Sequence, residues 1–197
     1  MNNSRPKIKL SRALGIPLTP KSVKYFERRP FPPGQHGRAR RKTSDYQVRL
    51  LEKQRLRHQY NVSEGQLRRA YDDAHRAAGK TGEEMVVLLE RRLDAVVHRA
   101  GLARTVYQAR QLVGHGHFTV DGQKVDRPSY RLRPGQVVEV HERSRAKFPF
   151  QSAAAGDGPM PGYLARTGLA ATLVRLPLRA EIPVLCDEQL VVEFYAR

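Results

Sequence analysis

The residues best suited to chemistry in this chain are cationic. From Arg28 to Lys42 it reads RRPFPPGQHGRARRK, six lysines and arginines with no carboxylate, threaded through three prolines and two glycines. Pro30, Pro32 and Pro33 cannot join a helix interior, and Arg38, Arg40, Arg41 and Lys42 would be left unpaired if they were buried. The stretch must stay extended and hydrated or lie against an anionic host. Pro32 and Pro33 hold a polyproline-like path, while Gly34 and Gly37 permit turns and close approach of backbone to a surface. A second set follows: Arg49, Lys53 and Arg57 recur every four residues, one cationic stripe on a helix, opposed only by Glu52. An arm and a stripe together suit phosphate binding, where either alone reads as a solvated linker or a solvated helix face.

The distribution of charge sharpens this. The net charge is +17 over 197 residues. Residues 1 to 60 hold 16 Lys/Arg against 3 Asp/Glu, hence +13, and the other 137 residues supply only +4. Such a polycation repels itself in isolation, so a polyanion belongs to its working state. The absence of Trp and of a clear apolar helical face in the tail disfavours an acidic membrane and leaves nucleic acid. No run approaches a membrane span and MNNSRPKIKLSRALG carries no apolar segment of signal-peptide length, so the expected location is cytoplasmic. The single Cys186 excludes an internal disulfide and any multi-cysteine zinc site.

Candidates for catalysis are thin. Gly79-Lys80-Thr81 has the tail of a phosphate-binding loop, but Ala74 stands where its first glycine belongs. His115-x-His117 is at most half a metal site, with no partner at sensible spacing. Asp72-Asp73 and Glu83-Glu84 fall on first turns or exposed faces of helices, where acidic residues are commonplace. No cofactor is expected.

Four capping boxes, Ser44/Gln47, Ser63/Gln66, Thr81/Glu84 and Thr105/Gln108, predict the helices that must position these groups. The second runs to Gly79 with Leu67, Ala70, Tyr71, Ala74 and Ala78 on one stripe. The third ends at Gly101 after Leu89, Leu93, Val96, Val97 and Ala100, and the fourth stops at Gly114 or Gly116. The period then changes to two: Phe118, Val120, Asp121-Gly122 and Lys124-Val125 predict a hairpin with a type I′ turn. Tyr130 to Leu132 and Val137 to Val140 complete a small antiparallel sheet, residues 151 to 162 form a loop or linker, and two apolar runs, Leu173 to Leu176 and Leu190 to Tyr195, close the chain.

The order RLD-x-VV helix, Gly101, Thr105 cap, AR-Q-LV helix, GH and V-D-G hairpin resembles a widespread RNA-binding module of two helices on a small twisted sheet. RRPFPPGQHG, SDYQVRLLEKQRLRHQY and the terminal EQLVVEFYAR extend the resemblance nearly end to end, to the bacterial small-subunit ribosomal protein four family. The resemblance implies an α+β chain: an extended basic arm (1–43), a helical domain (44–90, completed by 172–197), and an inserted module with its linker (91–171). It implies a structural role as a primary binder of small-subunit ribosomal RNA that nucleates 5′-domain assembly, lines the region where messenger RNA enters, and contributes to accuracy beside small-subunit protein five. Its RNA surface would comprise Arg28, Arg29, Gln35, His36, Arg38, Arg40, Arg41 and Lys42, the stripe Arg49, Lys53 and Arg57, and Arg104, Gln108, Arg110, Gln111, His115 and His117 in the module. Gln108 and Gln111 can donate and accept toward base edges or 2′-hydroxyls, with Arg104 and Arg110 supplying charge.

Two features depart from the family pattern. Many members bind zinc through four cysteines near the N-terminus, where this chain has Ile8, Ser11, Thr19 and Lys24, so no zinc is expected and packing and RNA contacts must order the segment. Off the ribosome the segment would be loose. Where the family often has Ser-Arg, this chain has Thr105-Val106, with the charge at Arg104. The same module is appended to pseudouridine synthases and some aminoacyl-tRNA synthetases, but outside it fewer than about a hundred residues remain here, with no nucleophile, base and orienting group in sight. A free RNA chaperone would need neither the PPGQHG loop nor the terminal EQLVVEFYAR.

Overall fold

The computed structural model describes residues 6–39, 42–154 and 160–196, so Arg40, Arg41 and residues 155–159 of the expected linker lie outside it. The described helices are, in chain order, α1 (Lys7–Leu14), α2 (Pro20–Arg28), α3 (Asp45–Gln59), α4 (Glu64–Arg76), α5 (Thr81–Glu90), α6 (Leu93–Arg99), α7 (Val106–Gly114), α8 (Phe148–Ala154) and α9 (Glu188–Tyr195). The strands are β1 (Phe118–Val120), β2 (Gln123–Lys124), β3 (Val137–Val140), β4 (Leu164–Thr167) and β5 (Ala170–Leu173). Two compact units result, Met1–Gly82 with Val184–Arg197, and Glu83–Pro183. The sequence places the boundary at 90/91 and the closing segment from 172, whereas the compact units divide at 82/83 and 183/184, because β5 is an integral strand of the sheet in the second unit.

In the first unit, Ser44 and Ser63 cap α3 and α4 as read, each hydroxyl accepting from the amide three residues on while Gln47 or Gln66 reaches back. The arm differs from expectation: residues 1–43 are not extended throughout but contain α1 and α2, whose Leu10 and Leu14 cluster with Ile16 and rest against Leu18 and Leu51. α4 ends at Arg76, short of Gly79.

The second unit is an antiparallel sheet of order β2-β1-β3-β5-β4 covered by α6 and α7. Phe118 pairs with Val140, Val120 with Val138, and Val138 with Ala171, so alternation sends one apolar set toward Val96, Val97, Ala109 and Val113. Asp121 and Gly122 both adopt positive φ, 50° and 80°, which is the geometry of the expected type I′ turn.

Four details differ from the sequence reading. The single helix anticipated from Thr81 to Gly101 is two, broken at Arg91-Arg92. There the chain runs extended and Leu93 N and Leu132 N donate to Tyr130 O and Arg91 O, both at 2.8 Å. Tyr130 to Leu132 is accordingly not a strand of the sheet but a single bridge, Arg131 opposite Arg92. Finally, α8 occupies the start of the expected 151–162 loop, seating Phe150 edge-on to Phe118 at 5.7 Å, and β4 and β5 form a hairpin that was not foreseen.

Candidate nucleic-acid interface

The basic loop is built on α1. Arg12 turns its Nε toward the carbonyls of Arg29 (3.1 Å) and Phe31 (3.0 Å), and its Nη2 toward that of Pro32 (3.4 Å). Its guanidinium also lies over the Phe31 ring at 5.0 Å, and that of Arg38 at 4.7 Å from the same ring. Proline-rich backbone has few partners of its own, so one forked donor gathers three carbonyls that helix or sheet would otherwise satisfy. Gly37 N donates to Gly34 O, and a Cβ on Gly37 would fall 2.0 Å from Pro32 O, so the turn admits only glycine. Gln35 and His36 are left exposed at the tip, with Arg28, Arg29, Arg38 and Lys42 also exposed. Arg12 is a residue the sequence reading missed: its partners are backbone carbonyls, which leave no signature in residue types.

Hydroxyl groups of the same region bond to one another and to the backbone. Buried Ser11 donates to Lys7 O (2.9 Å) and accepts from Leu18 N (3.2 Å), while Thr19 and Ser22 hydroxyls lie 2.6 Å apart. Ile8, Ser11, Thr19 and Lys24 offer no thiolate or imidazole, so these positions do not fit zinc. Within the described residues 6–39 the contacts of the segment include the Arg12 fork, the Ser11 bonds and the small apolar cluster.

The stripe on α3 turns inward, contrary to the expectation that it faces phosphate. Arg49 Nε pairs with Glu193 Oε2 at 2.7 Å and Lys53 Nζ with Glu64 Oε1 at 2.9 Å, while Arg57 approaches Glu64 Oε2 at 3.4 Å. Lys53 is buried and lies 4.3 Å from the Phe194 ring centroid. The opposing charges were invisible in the local sequence because they come from α4 and α9. The same helix grips the C-terminal segment elsewhere: Gln59 exchanges two 3.0 Å hydrogen bonds with the backbone of Leu185, and Glu52 accepts from Asp187 N at 3.0 Å. Tyr195 completes the knot by donating to Glu64 Oε1 at 2.7 Å. Burial, then the Glu64 carboxylate, push the Tyr195 phenol well above its usual range.

In the module, Thr105 caps α7 by accepting from Gln108 N at 3.1 Å, and Gln108 Oε1 in turn accepts from Arg104 N at 2.9 Å. Gln108 is therefore engaged at its oxygen in holding the helix start, whereas Gln111, three residues on, is exposed. Arg104 is exposed beside them. Arg110 reaches back to Asp94 Oδ2 at 3.3 Å, joining Arg92, which grips the same carboxylate at 3.0 and 2.8 Å. Asp94 is 1% exposed; burial raises its carboxyl against the pull of Arg92, Arg110 and the Ala95 amide. His115 is exposed, but His117 bonds Ser144 Oγ at 2.9 Å and stands edge-on to Phe150. Burial, then Lys147, lower the His117 imidazole below its ordinary value. Among the described residues, no three His, Cys, Asp or Glu side chains are grouped so as to hold a metal.

Of the residues expected at an RNA surface, those exposed among the described residues are Arg28, Arg29, Gln35, His36, Arg38 and Lys42 on and beside the Arg12-tied loop, and Arg104, Gln111 and His115 around α7. Comparison with known proteins bears on what such a surface meets. Residues 2–90 match the family model of the ribosomal protein S4/S9 N-terminal domain, and residues 91–138 that of the S4 domain. A small ribosomal subunit protein uS4 of Streptomyces griseus is 65% identical over 202 residues, covering 100% of this chain and 99% of that protein. Proteins of the same name from Beutenbergia cavernae and Micrococcus luteus are each 60% identical, covering 98% of this chain and 97% of theirs.

Proposed function

The chain belongs to the family of small ribosomal subunit protein uS4, and from that premise we propose that it binds the 5′ domain of small-subunit ribosomal RNA early in assembly. It is a structural component of the ribosome and not an enzyme. Within the subunit it lines the region where messenger RNA enters and touches small-subunit protein five, through which it influences decoding accuracy. Its working place is the cytoplasmic ribosome, and it holds its N-terminal segment without zinc.

The observation that carries this reading is the PPGQHG loop, whose backbone is held by Arg12 with Gln35 and His36 exposed at its tip and the exposed arginines Arg28, Arg29 and Arg38 flanking it. A backbone ordered before binding loses less freedom when it docks, so its charges act as a shaped surface rather than a diffuse cloud. The second contribution is the α7 start, where Arg104 supplies charge and Gln111 hydrogen bonds.

The decisive experiment compares binding of the 5′-domain RNA with binding of a scrambled RNA of equal length across salt. Neutralising roughly 6 to 10 phosphates weakens affinity by about 10³ to 10⁵ between 50 and 200 mM salt for duplex DNA, and a comparable slope is expected here. The cognate RNA should keep a large advantage at high salt; equal retention of both would overturn the assignment.

A further inference from the structure

Helix α2 carries cations that the basic loop does not account for. Lys21, Lys24, Tyr25 and Arg28 are spaced three and four apart, so each has two of the others as neighbours, with Cβ atoms about 5–6 Å away. All four are exposed, Tyr25 by 42%. At about 1.5 Å of rise per residue, Lys21 precedes Tyr25 by about 6 Å along the helix axis and Arg28 follows it by about 4.5 Å. An aromatic residue thus stands with a cation on either side of it along one helix face.

The opposite face holds the helix in place. Ser22 is wholly buried; its hydroxyl lies 2.6 Å from that of Thr19, and its amide donates to Thr19 O at 2.8 Å. Leu18 N donates to Ser11 Oγ at 3.2 Å, which ties the entry of α2 to α1. At the exit, Arg29 N donates to Tyr25 O and Phe26 O, both at 3.2 Å, and Arg29 O accepts from Arg12 Nε at 3.1 Å. The fork that shapes the PPGQHG loop therefore also fixes the end of α2. None of the four exposed side chains is used in these ties.

No charge inside the fold answers the cations. Among the described residues none forms an ion pair or a side-chain hydrogen bond with Lys21, Lys24 or Arg28, Glu27 included. Glu27 is the only carboxylate of α2, and it lies about 60° around the helix from Lys24, on the side away from Tyr25. Lys24 and Arg28, like charges four residues apart, weaken the helix rather than support it.

We infer that the face of α2 formed by Lys21, Lys24, Tyr25 and Arg28 binds an unpaired segment of RNA, with one base stacked on the Tyr25 ring and the adjoining phosphates on the three cations. The site rests on the RNA-binding reading above and deepens it. An aromatic platform set among cations is the chemistry that holds single strands with little regard to sequence. A small anion would meet the charges and leave the ring idle. A duplex would do the same, because its bases are already stacked on one another, whereas loops and bulges of a folded RNA offer free base faces.

The test uses the full chain and the 5′-domain RNA, with affinity measured at several salt concentrations for wild type, Y25A, Y25F and K21Q/K24Q. Y25A should weaken binding about tenfold at every salt concentration with an unchanged slope, because a stacked base face carries no charge. Y25F keeps the ring and should bind as wild type does. K21Q/K24Q should flatten the slope by about 2, one for each lost phosphate contact. In every variant the ratio of cognate to scrambled RNA should stay at the wild-type value, since stacking and phosphate contacts carry little sequence information. Y25F as weak as Y25A overturns the stacked base, and a wild-type slope in K21Q/K24Q overturns the phosphate contacts. Wild-type RNA affinity in both Y25A and K21Q/K24Q, with binding of poly-glutamate lost in the latter, marks an acidic protein segment as the ligand and overturns the site. If wild type itself fails to prefer the cognate RNA, the proposed function falls instead. Lys21 and Lys24 have no partner among the described residues, so K21Q/K24Q should melt as wild type does and decides by its slope even where Y25A melts early.

Discussion

Lys53 Nζ stands 2.9 Å from Glu64 Oε1 with 7% of its side chain exposed, so the central cation of the α3 stripe is an internal strut between α3 and α4. A lysine in that position contributes its buried methylene stem as well as a charge-assisted bond, and it lies against Phe194. Lys53→Ala should destabilise the first unit by roughly 2–4 kcal/mol in urea unfolding, from the lost bond and stem together. Lys53→Met keeps the volume and removes the charge, and should cost less than Lys53→Ala, about 1.5–3 kcal/mol for the charge-assisted bond alone, because Glu64 keeps Arg57 and Tyr195 as partners. The RNA salt slope of Lys53→Met should equal that of wild type; a slope shallower by about 1 would return Lys53 to the RNA surface.

Glu64 gives the same clamp a pH signature. Burial raises its carboxyl, but Lys53, Tyr195 and Arg57 together hold it below the ordinary glutamate range. A carboxylate depressed in the folded state stabilises above its unfolded pKa of about 4.3, and that stability is lost as pH falls through the lower folded value. At the alkaline end the sign is reversed. The Tyr195 phenol is raised in the folded state, so its contribution is intact below about pH 10 and lost as pH climbs beyond the unfolded value. Melting temperature measured from pH 3 to 11 should fall at both ends. Glu64→Gln should flatten the acid limb and Tyr195→Phe the alkaline one; variants that merely lower the whole curve would show that this network does not titrate with folding.

Arg12 offers a separation of charge from shape. Arg12→Lys retains the charge but cannot bring a planar fork to the Arg29, Phe31 and Pro32 carbonyls. Amide exchange at Gly37 and Ala39, whose N–H groups bond Gly34 O and His36 O, should quicken about tenfold in Arg12→Lys and in Arg12→Ala alike, the equivalent of about 1.4 kcal/mol of local stability. Both should lose RNA affinity with little change in salt slope. Unchanged exchange in Arg12→Lys would mean that charge alone organises the loop.

Local signals were legible in the sequence and distant partners were not. The capping boxes at Ser44 and Ser63 and the Asp121-Gly122 turn are set by neighbours within four residues, and each formed as read. The break at Arg91-Arg92 was hidden because the apolar spacing of Leu89, Leu93, Val96 and Val97 continues across it, while the cause lies some forty residues away at Tyr130 and Leu132. The inward turn of Arg49, Lys53 and Arg57 has the same origin, since Glu64 and Glu193 belong to other helices. Spacing states that three cations share a face; only tertiary structure states what the face meets. The PPGQHG loop was readable as backbone that could not be buried, but not the single arginine that shapes it.

Gln108 and Gln111, one residue type on one helix, should separate in experiment. Gln108 accepts from Arg104 N while its own amide is bound by Thr105, so its side chain works for the helix start. Gln108→Ala should therefore lower the stability of the second unit by about 0.5–2 kcal/mol, the usual cost of a lost cap. Gln111 is exposed and its loss should leave stability within about 0.5 kcal/mol. Against RNA the ranking is reversed: Gln111→Ala should reduce the preference for cognate over scrambled RNA about tenfold at unchanged salt slope, because a hydrogen bond to a base edge or 2′-hydroxyl carries identity and not charge. Gln108→Ala, assayed well below its unfolding temperature, should keep most of that preference. Equal losses of preference in the two variants would show that the capping oxygen of Gln108 is surrendered to RNA on binding.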